Sequence, residues 1–134
     1  MTEAFQKQIE WWRESSEKDF EVAKVLFGQK YYSHSLVLCH LCLEKILKAT
    51  VMKHTGKEAP FIHDLRRLAE IAEIPMSEEQ QELFDIISNF HIVGRYPDQK
   101  FEFYKEYNSR DKAQEYINHT QHLYSWLQKE FQKK

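Results

Sequence analysis

Hydrophobic residues recur at intervals of three and four along most of the chain, which is the spacing of one face of an α-helix. The clearest example is the segment of residues 33–54. It begins with a serine, contains no proline and is followed by Gly56, as is typical of a helix of about 20 residues. Apolar side chains occupy nearly its whole circumference, so we expect neighbouring helices to cover it at the centre of a bundle.

The same spacing predicts a helix on each side of this central one. The first covers residues 4–28, and the short turn at residues 28–32 should make it antiparallel to the central helix. Asp64 follows a loop and should begin a short helix, either as its cap or as an acid in its first turn. Pro75 should end that short helix.

Two more long helices are predicted in the second half of the chain. Ser77 and Gln80 form a capping-box pattern at the start of one, which should run towards Gly94 and Pro97. Residues 94–108 are rich in aromatic residues and are predicted to be irregular. Asn108 or Ser109 should cap the last helix. The sequence therefore predicts an all-α, up-and-down bundle of four long helices plus one short helix, forming a single domain over residues 1–134.

Composition and charge agree with a helical, cytoplasmic protein. The chain has 134 residues, of which 42% are hydrophobic, and only three glycines and three prolines, which argues against a turn-rich β fold. A net charge of −2 gives no general attraction to nucleic acid or an anionic membrane, so such binding would need a local patch. No apolar run reaches the roughly 18 residues of a membrane span, and the N-terminus lacks the pattern of a signal peptide.

Cys39 and Cys42 are the two cysteines, and they lie three residues apart within the central helix. A structural zinc site usually requires a second such pair, which the sequence lacks, and a redox pair normally lies at the start of a helix. We therefore expect two thiols packed as small hydrophobic groups and no metal site.

His40, Glu44 and Lys48 are spaced four apart and form one polar line along the otherwise apolar central helix. A Glu-to-Lys pair at this spacing is usually a modest helix stabiliser. On a helix that is otherwise buried, the line could also belong to a pocket, an interface or a proton-transfer group. We expect the adjacent Lys45 to be solvated.

The segment from Gly94 to Asp98 is the most unusual stretch of the chain. Arg95 follows His91 by about one helical turn, and Tyr96 begins a series of aromatic residues. Arginine can hold a phosphate while rings stack on a base. Alternatively, Arg95 pairs with an acid such as Asp98 or Glu44 and the aromatic rings cover the end of the bundle. The residues alone favour neither interpretation.

Four motifs in order make the chain resemble the HEPN domain family of small helical bundles. They are Tyr31-Tyr32 before the central helix, Glu44-Lys45-Ile46-Leu47-Lys48-Ala49 within it, His63-Asp64-Leu65 at the start of the short helix, and Arg95-Tyr96-Pro97 near the end of the fourth helix. The resemblance covers roughly residues 11–130. It implies a homodimer related to RNA or nucleotides, and in many members a ribonuclease toxin that is paired with a minimal nucleotidyltransferase.

Active ribonucleases of this family share an arginine and a histidine that are separated by four to six residues, and both subunits contribute to the cleft. Here Arg95 is followed at that spacing by Lys100, Phe101 and Glu102, and no other arginine has a histidine there. We therefore expect a dimer that binds a nucleotide or RNA without efficient catalysis and without a cofactor. The candidate ligand-binding residues are His40, Glu44, Lys48, His91, Arg95, Tyr96 and Asp98.

Two alternatives remain open from the sequence. In one, the chain is a metal-independent ribonuclease toxin of a toxin–antitoxin pair, in which Arg95 holds the phosphate and His91 moves the proton. In the other, the chain is a protein-interaction module for a nucleotidyltransferase partner.

Overall fold

A computed structural model describes residues 1–92 and 94–133, and these ranges contain six α-helices and no β-strand. The helices are α1 (Glu3–Gly28), α2 (Tyr32–Thr55), α3 (Leu65–Ile71), α4 (Glu78–Ser88), α5 (Pro97–Tyr107) and α6 (Arg110–Gln132). The predicted all-α bundle is confirmed, with three long helices, two of 11 residues and one of seven. None of the described helices combines the length and hydrophobicity needed to cross a membrane.

Helix α2 lies at the centre of the bundle and contacts each of the other five helices. Its apolar residues form the main core with side chains from α1, α3, α4, α5 and α6. Phe84, Phe90 and Leu127 are among the largest side chains that are completely buried there. The prediction that neighbouring helices cover α2 on most sides is therefore confirmed.

Helices α1 and α2 pack against each other along their lengths in opposite directions. The chain reverses at Lys30, whose φ of 69° is left-handed, and the Tyr31 N–H donates to the carbonyl of Leu26 at 2.8 Å. Further along the pair, Lys45 contacts α1 at Asp19, with a Nζ-to-carboxylate distance of 2.8 Å. Lys45 is therefore only 18% exposed at its side chain, and the expectation that it is solvated is wrong.

Helix α3 ends at Ile71, before the proline that was expected to end it. Asp64 caps its start, as predicted, by accepting from the Arg67 N–H. At the other end, Glu73 has a φ of 59°, and the Ile74 N–H donates to the carbonyl of Ala69. This left-handed turn satisfies the last carbonyls of the helix and reverses the chain.

The start of α4 and the start of α6 have the predicted caps. Ser77 and Gln80 form a reciprocal capping box, and Ser109 accepts from the Lys112 N–H. Gly56 ends α2 in the left-handed conformation, with a φ of 72°. These ends depend on residues within one turn of each other, which explains why the sequence is sufficient to predict them.

The prediction that residues 94–108 are irregular is wrong, because most of this segment forms α5. Pro97 occupies the first turn of that helix, where a proline favours helix formation since its missing N–H would have no partner there. Phe103 is buried and Tyr107 partly buried one helical turn apart, facing Phe90. The helix therefore covers the end of the bundle with three of the segment's rings: Phe103, Tyr104 and Tyr107.

Candidate functional site

The polar line on α2 is buried inside the bundle. His40 is completely inaccessible, and Glu44 and Lys48 are each 5% exposed. The Lys48 Nζ lies 3.0 Å from Oε2 of Glu44, and Nε2 of His40 lies 3.5 Å from Oε1 of the same carboxylate. The Lys48 ammonium also lies over the ring of Trp12, 5.2 Å from its centroid. Glu44 is thus the common partner of the other two members of the line.

His63, in the loop that precedes α3, contacts both Glu44 and His40. Its Nδ1 lies 2.8 Å from Oε1 of Glu44, and its backbone carbonyl lies 3.1 Å from Nε2 of His40. The His63-Asp64-Leu65 motif predicts only that His63 lies at the start of the short helix. Its contact with Glu44 joins residues 19 positions apart, and the sequence contains no local signal for such a pairing.

His91 lies in the segment after α4 and stacks on His63. The two ring centroids are 3.8 Å apart, and the ring planes differ by 17°. The ring of His91 also lies 5.2 Å from that of His40. The rings of His40, His63 and His91 and the carboxylate of Glu44 therefore form one cluster.

A groove of about 440 Å³ opens above this cluster. Arg95 is half-buried at its edge, and within residues 1–92 and 94–133 no carboxylate lies within ion-pair distance of its guanidinium. Asp85 also lines the groove, but it pairs with Arg66, whose Nη1 lies 3.0 Å from Oδ2 of Asp85. The lining residues are His63, Asp64, Asp85, Ser88, Asn89, His91, Gly94 and Arg95.

A second depression of about 360 Å³ lies on the other side of Arg95. Three carboxylates line it, from Asp98, Glu102 and Glu106. An anion would be repelled there, because like charges at close range are unfavourable. Arg95 thus separates an acidic depression from a groove that contains the stacked histidines.

The sequence-predicted site residues lie in three places: the groove, the buried polar cluster and the start of α5. His91 and Arg95 line the groove, and His40, Glu44 and Lys48 lie in the polar cluster to which His91 belongs. Tyr96 is 75% exposed at the cap of α5 and lines neither depression, whereas Asp98 lines the acidic one. The structure therefore does not bring Asp98 together with His91.

Burial and neighbouring groups shift the protonation of the cluster. Burial lowers the pKa of His40 to about 4, which leaves its imidazole neutral at pH 7. Burial alone would raise the pKa of the Glu44 carboxyl, but the hydrogen bond from His63, the field of His40 and the contact with Lys48 together lower it. Burial, followed by the charge of His63, lowers the pKa of His91.

The cysteines of α2 lie away from this chemistry, packed in the core as predicted. Both are free and completely buried. Burial raises the pKa of the Cys39 thiol to about 12 and that of the Cys42 thiol well above its usual value. Neither thiol is therefore a nucleophile in the native fold.

Comparison with known proteins assigns the fold and the family. The structure is similar to the crystal structure of TT1696 from Thermus thermophilus, with a TM-score of 0.74 and 18% sequence identity over 92% of this chain and 98% of that one. At that identity the likeness concerns the fold alone. No curated protein matches the chain. The family model described as "HEPN domain" matches residues 9–131, nearly the whole length. The chain therefore belongs to the HEPN domain family.

Proposed function

We propose that the protein binds a nucleotide or a short RNA segment in the groove beside Arg95, without efficient catalysis. The observation that supports this most directly is that the half-buried Arg95 lines the groove and has no carboxylate within ion-pair distance among the described residues. An arginine in such a position is suited to hold a phosphate through two parallel hydrogen bonds.

The surroundings of Arg95 favour one orientation of the ligand. A phosphate would lie on the side of His63 and His91, because Asp98 and the two glutamates make the other depression acidic. Of the two carboxylates that line the groove itself, Asp85 is paired with Arg66 and Asp64 caps α3. The exposed ring of Tyr96, next to Arg95 in the chain, offers a surface on which a base can stack. The ligand would thus contact the end of α4 and the start of α5.

Two features support binding without cleavage. The arginine–histidine spacing of the active family ribonucleases is missing, since Lys100, Phe101 and Glu102 occupy the positions where the histidine is expected. In addition, His63 and His91 stack face to face at 3.8 Å. Cleavage in line with the leaving group would require a base and an acid on opposite sides of the phosphate, which two stacked rings do not provide.

The test is a titration of fluorescently labelled short RNAs, and of nucleotides, by anisotropy and calorimetry. We expect Arg95→Ala to weaken binding about 10- to 150-fold, because a hydrogen-bonded charge contributes roughly 1.5–3 kcal/mol. Arg110→Ala is the matched control, since Arg110 is exposed at the start of α6 and does not line the groove. Equal affinities of wild type and Arg95→Ala, or no binding by either protein, would refute the proposal.

The same RNAs distinguish binding from the ribonuclease toxin. After prolonged incubation with the wild-type protein we expect intact RNA, and expression of the protein should not arrest growth. Cleavage that disappears in His91→Ala would instead assign the chain to the toxin class. A minimal nucleotidyltransferase that relieves growth arrest would identify its partner.

We further propose that the protein functions as a homodimer, as the family resemblance implies. The chain has a mass of 16.3 kDa. Light scattering after size-exclusion chromatography should therefore give about twice that mass, and the monomer mass over the full concentration range would exclude the dimer.

A second candidate function is a protein-interaction module for a nucleotidyltransferase partner. It is favoured by an apolar groove of about 500 Å³ between the α1–α2 turn and α5. Tyr31 lines this groove and is 53% exposed. Tyr31→Ala should weaken co-purification with a co-expressed minimal nucleotidyltransferase. Phe61→Ala should have no effect, since Phe61 is exposed but does not line the groove.

A further inference from the structure

We propose that the ligand of the groove beside Arg95 is a single RNA strand of several nucleotides, which continues along α5 into the apolar groove lined by Tyr31 and Lys100. The proposal rests on the proposed function and deepens it, because a mononucleotide would then fill only part of the site. It also assigns to RNA the apolar groove that the second candidate function gives to a protein partner.

Helix α5 presents opposite chemistry on two of its sides. The three carboxylates of the acidic depression follow one another at intervals of four residues along one side. Tyr96, at the cap of the helix, is followed at the same interval by Lys100 and Tyr104. With 3.6 residues per turn, the two series lie about 200° apart around the helix. A chain of phosphates is therefore repelled from the acidic side and attracted to the side of Lys100.

Two lysines line the surface beyond Tyr96. Lys100 lines the apolar groove, and Lys30 lines an adjoining depression of about 420 Å³ that shares the rings of Tyr31, His34 and Tyr104. Among the residues that the structure describes, no carboxylate lines either depression or lies within ion-pair distance of the two ammonium groups. An apolar surface alone would suit a protein partner, but two lysines without acidic partners favour a polyanion.

The three shared rings are suited to contact bases. The ring centroid of His34 lies 6.1 Å from that of Tyr31 and 5.4 Å from that of Tyr104, with interplanar angles of 84° and 31°. Tyr31 and His34 are exposed, so packing in the core does not occupy their faces. Proteins that bind single-stranded RNA combine such rings with a positively charged groove, because every base can stack on an aromatic ring.

The two grooves are close enough for one strand. Arg95 directly precedes Tyr96, and a rise of about 1.5 Å per residue places Tyr104 roughly 12 Å from Tyr96 along α5. Stacked nucleotides repeat about every 3.4 Å along one strand, so a stacked strand covers that length in roughly three to four steps. A hexanucleotide can therefore contact both grooves, whereas a mononucleotide cannot.

The experiment compares the affinities of the full chain for adenosine monophosphate (AMP) and for single-stranded hexa-adenylate, by calorimetry at several salt concentrations. We expect the hexamer to bind at least about 5-fold more tightly, since each stacked base contributes about 5- to 150-fold. His34→Ala should weaken hexamer binding by a factor in that range and leave AMP binding unchanged. Lys100→Met should reduce the slope of log affinity against log salt for the hexamer by about 0.7, the value of one phosphate contact on a single strand.

Each variant has a matched control. Lys105→Met removes an exposed lysine of α5, and His54→Ala removes an exposed histidine of α2. Neither Lys105 nor His54 lines either groove. We expect both control variants to bind the two ligands like the wild type, and circular dichroism establishes that each variant is folded.

Two results would overturn the extended site. One is equal affinity for AMP and the hexamer, and the other is an unchanged affinity and salt slope of the hexamer in both His34→Ala and Lys100→Met. If His34→Ala keeps its hexamer affinity but no longer co-purifies with a minimal nucleotidyltransferase, the apolar groove belongs to a protein partner. Arg95→Ala tests the proposed function separately: weaker AMP binding in that variant without any advantage of the hexamer would refute only the extended site, and no binding of either ligand by the wild type would refute both.

Discussion

The substitution Glu44→Gln provides the sharpest test of the buried polar cluster. It keeps the shape of the side chain but removes the negative charge that Lys48 and His63 contact. Lys48 is 5% exposed, and Glu44 is its one carboxylate partner within ion-pair distance in residues 1–92 and 94–133. After the substitution, the buried ammonium would keep contact with a neutral glutamine oxygen and with the face of the Trp12 ring, and would lose the negative charge of its partner.

Removing one partner of a buried ion pair costs about 3–5 kcal/mol. We expect the lower part of that range, about 3 kcal/mol, because the glutamine oxygen can still accept a hydrogen bond from Lys48. For a chain of this length that loss lowers the melting temperature by roughly 10 °C. Lys48→Met should cost less, since Glu44 would keep its contacts with His63 and His40.

The assay is thermal and urea unfolding followed by circular dichroism. The single variants Glu44→Met and Lys48→Met and the double variant Glu44→Met/Lys48→Met form a mutant cycle. Replacing both charges with apolar side chains is often neutral or stabilising, so we expect the double variant to be more stable than Glu44→Gln. A melting temperature of Glu44→Gln within measurement error of the wild type would refute the reasoning, as would strictly additive effects of the two methionines.

Three further predictions concern other parts of the structure. Both thiols should resist alkylation in the native protein at about pH 8 and react completely after denaturation. The reason is that burial raises the pKa of Cys39 to about 12 and that of Cys42 well above its usual value. Reaction of the folded chain would contradict the packing of α2. Ser77→Ala should lower the free energy of unfolding by about 1 kcal/mol through loss of the cap, whereas Ser125→Ala within α6 should have little effect. Stability should fall as the pH rises above about 8.5, where the unfolded chain releases protons that the buried thiols of Cys39 and Cys42 retain, and should fall further above about pH 10, because tyrosines whose pKa is raised in the folded state then also keep protons that the unfolded chain releases. Melting temperatures across this range test the prediction, and a rise in stability above pH 10 would contradict it. Burial is the main cause of the raised pKa in each of these tyrosines: Tyr107, Tyr116 and Tyr124.

Local sequence signals account for most of the helices. The capping box of Ser77 and Gln80, the cap at Asp64 and the left-handed Gly56 each depend on residues within one turn, so the sequence alone predicts those helix ends. The apolar circumference of α2 likewise predicts its central position. The HEPN motifs then identify the family, which the family model confirms over residues 9–131.

Pro97 is the signal that leads to the wrong prediction at α5, because it was interpreted as the end of one helix and not as the start of the next. A proline both ends a preceding helix and favours the first turn of a following one, and Pro97 does the latter. The spacing of Phe103 and Tyr107 is that of adjacent helical turns, so the aromatic stretch contained the pattern of the helix. The end of α3 is harder to predict from the sequence, because a glutamate rarely adopts the left-handed conformation found at Glu73.

By itself, the sequence determined the all-helical bundle, the family and the polar line of His40, Glu44 and Lys48, because each of these depends on residue spacing along the chain. Only the tertiary structure decided what that line contacts. His63 and His91 reach Glu44 and His40 from two separate loops, and Lys45 reaches Asp19 on another helix. Such contacts depend on the relative positions of packed helices, which no local pattern encodes. The same packing places Arg95 between a groove lined by stacked histidines and an acidic depression.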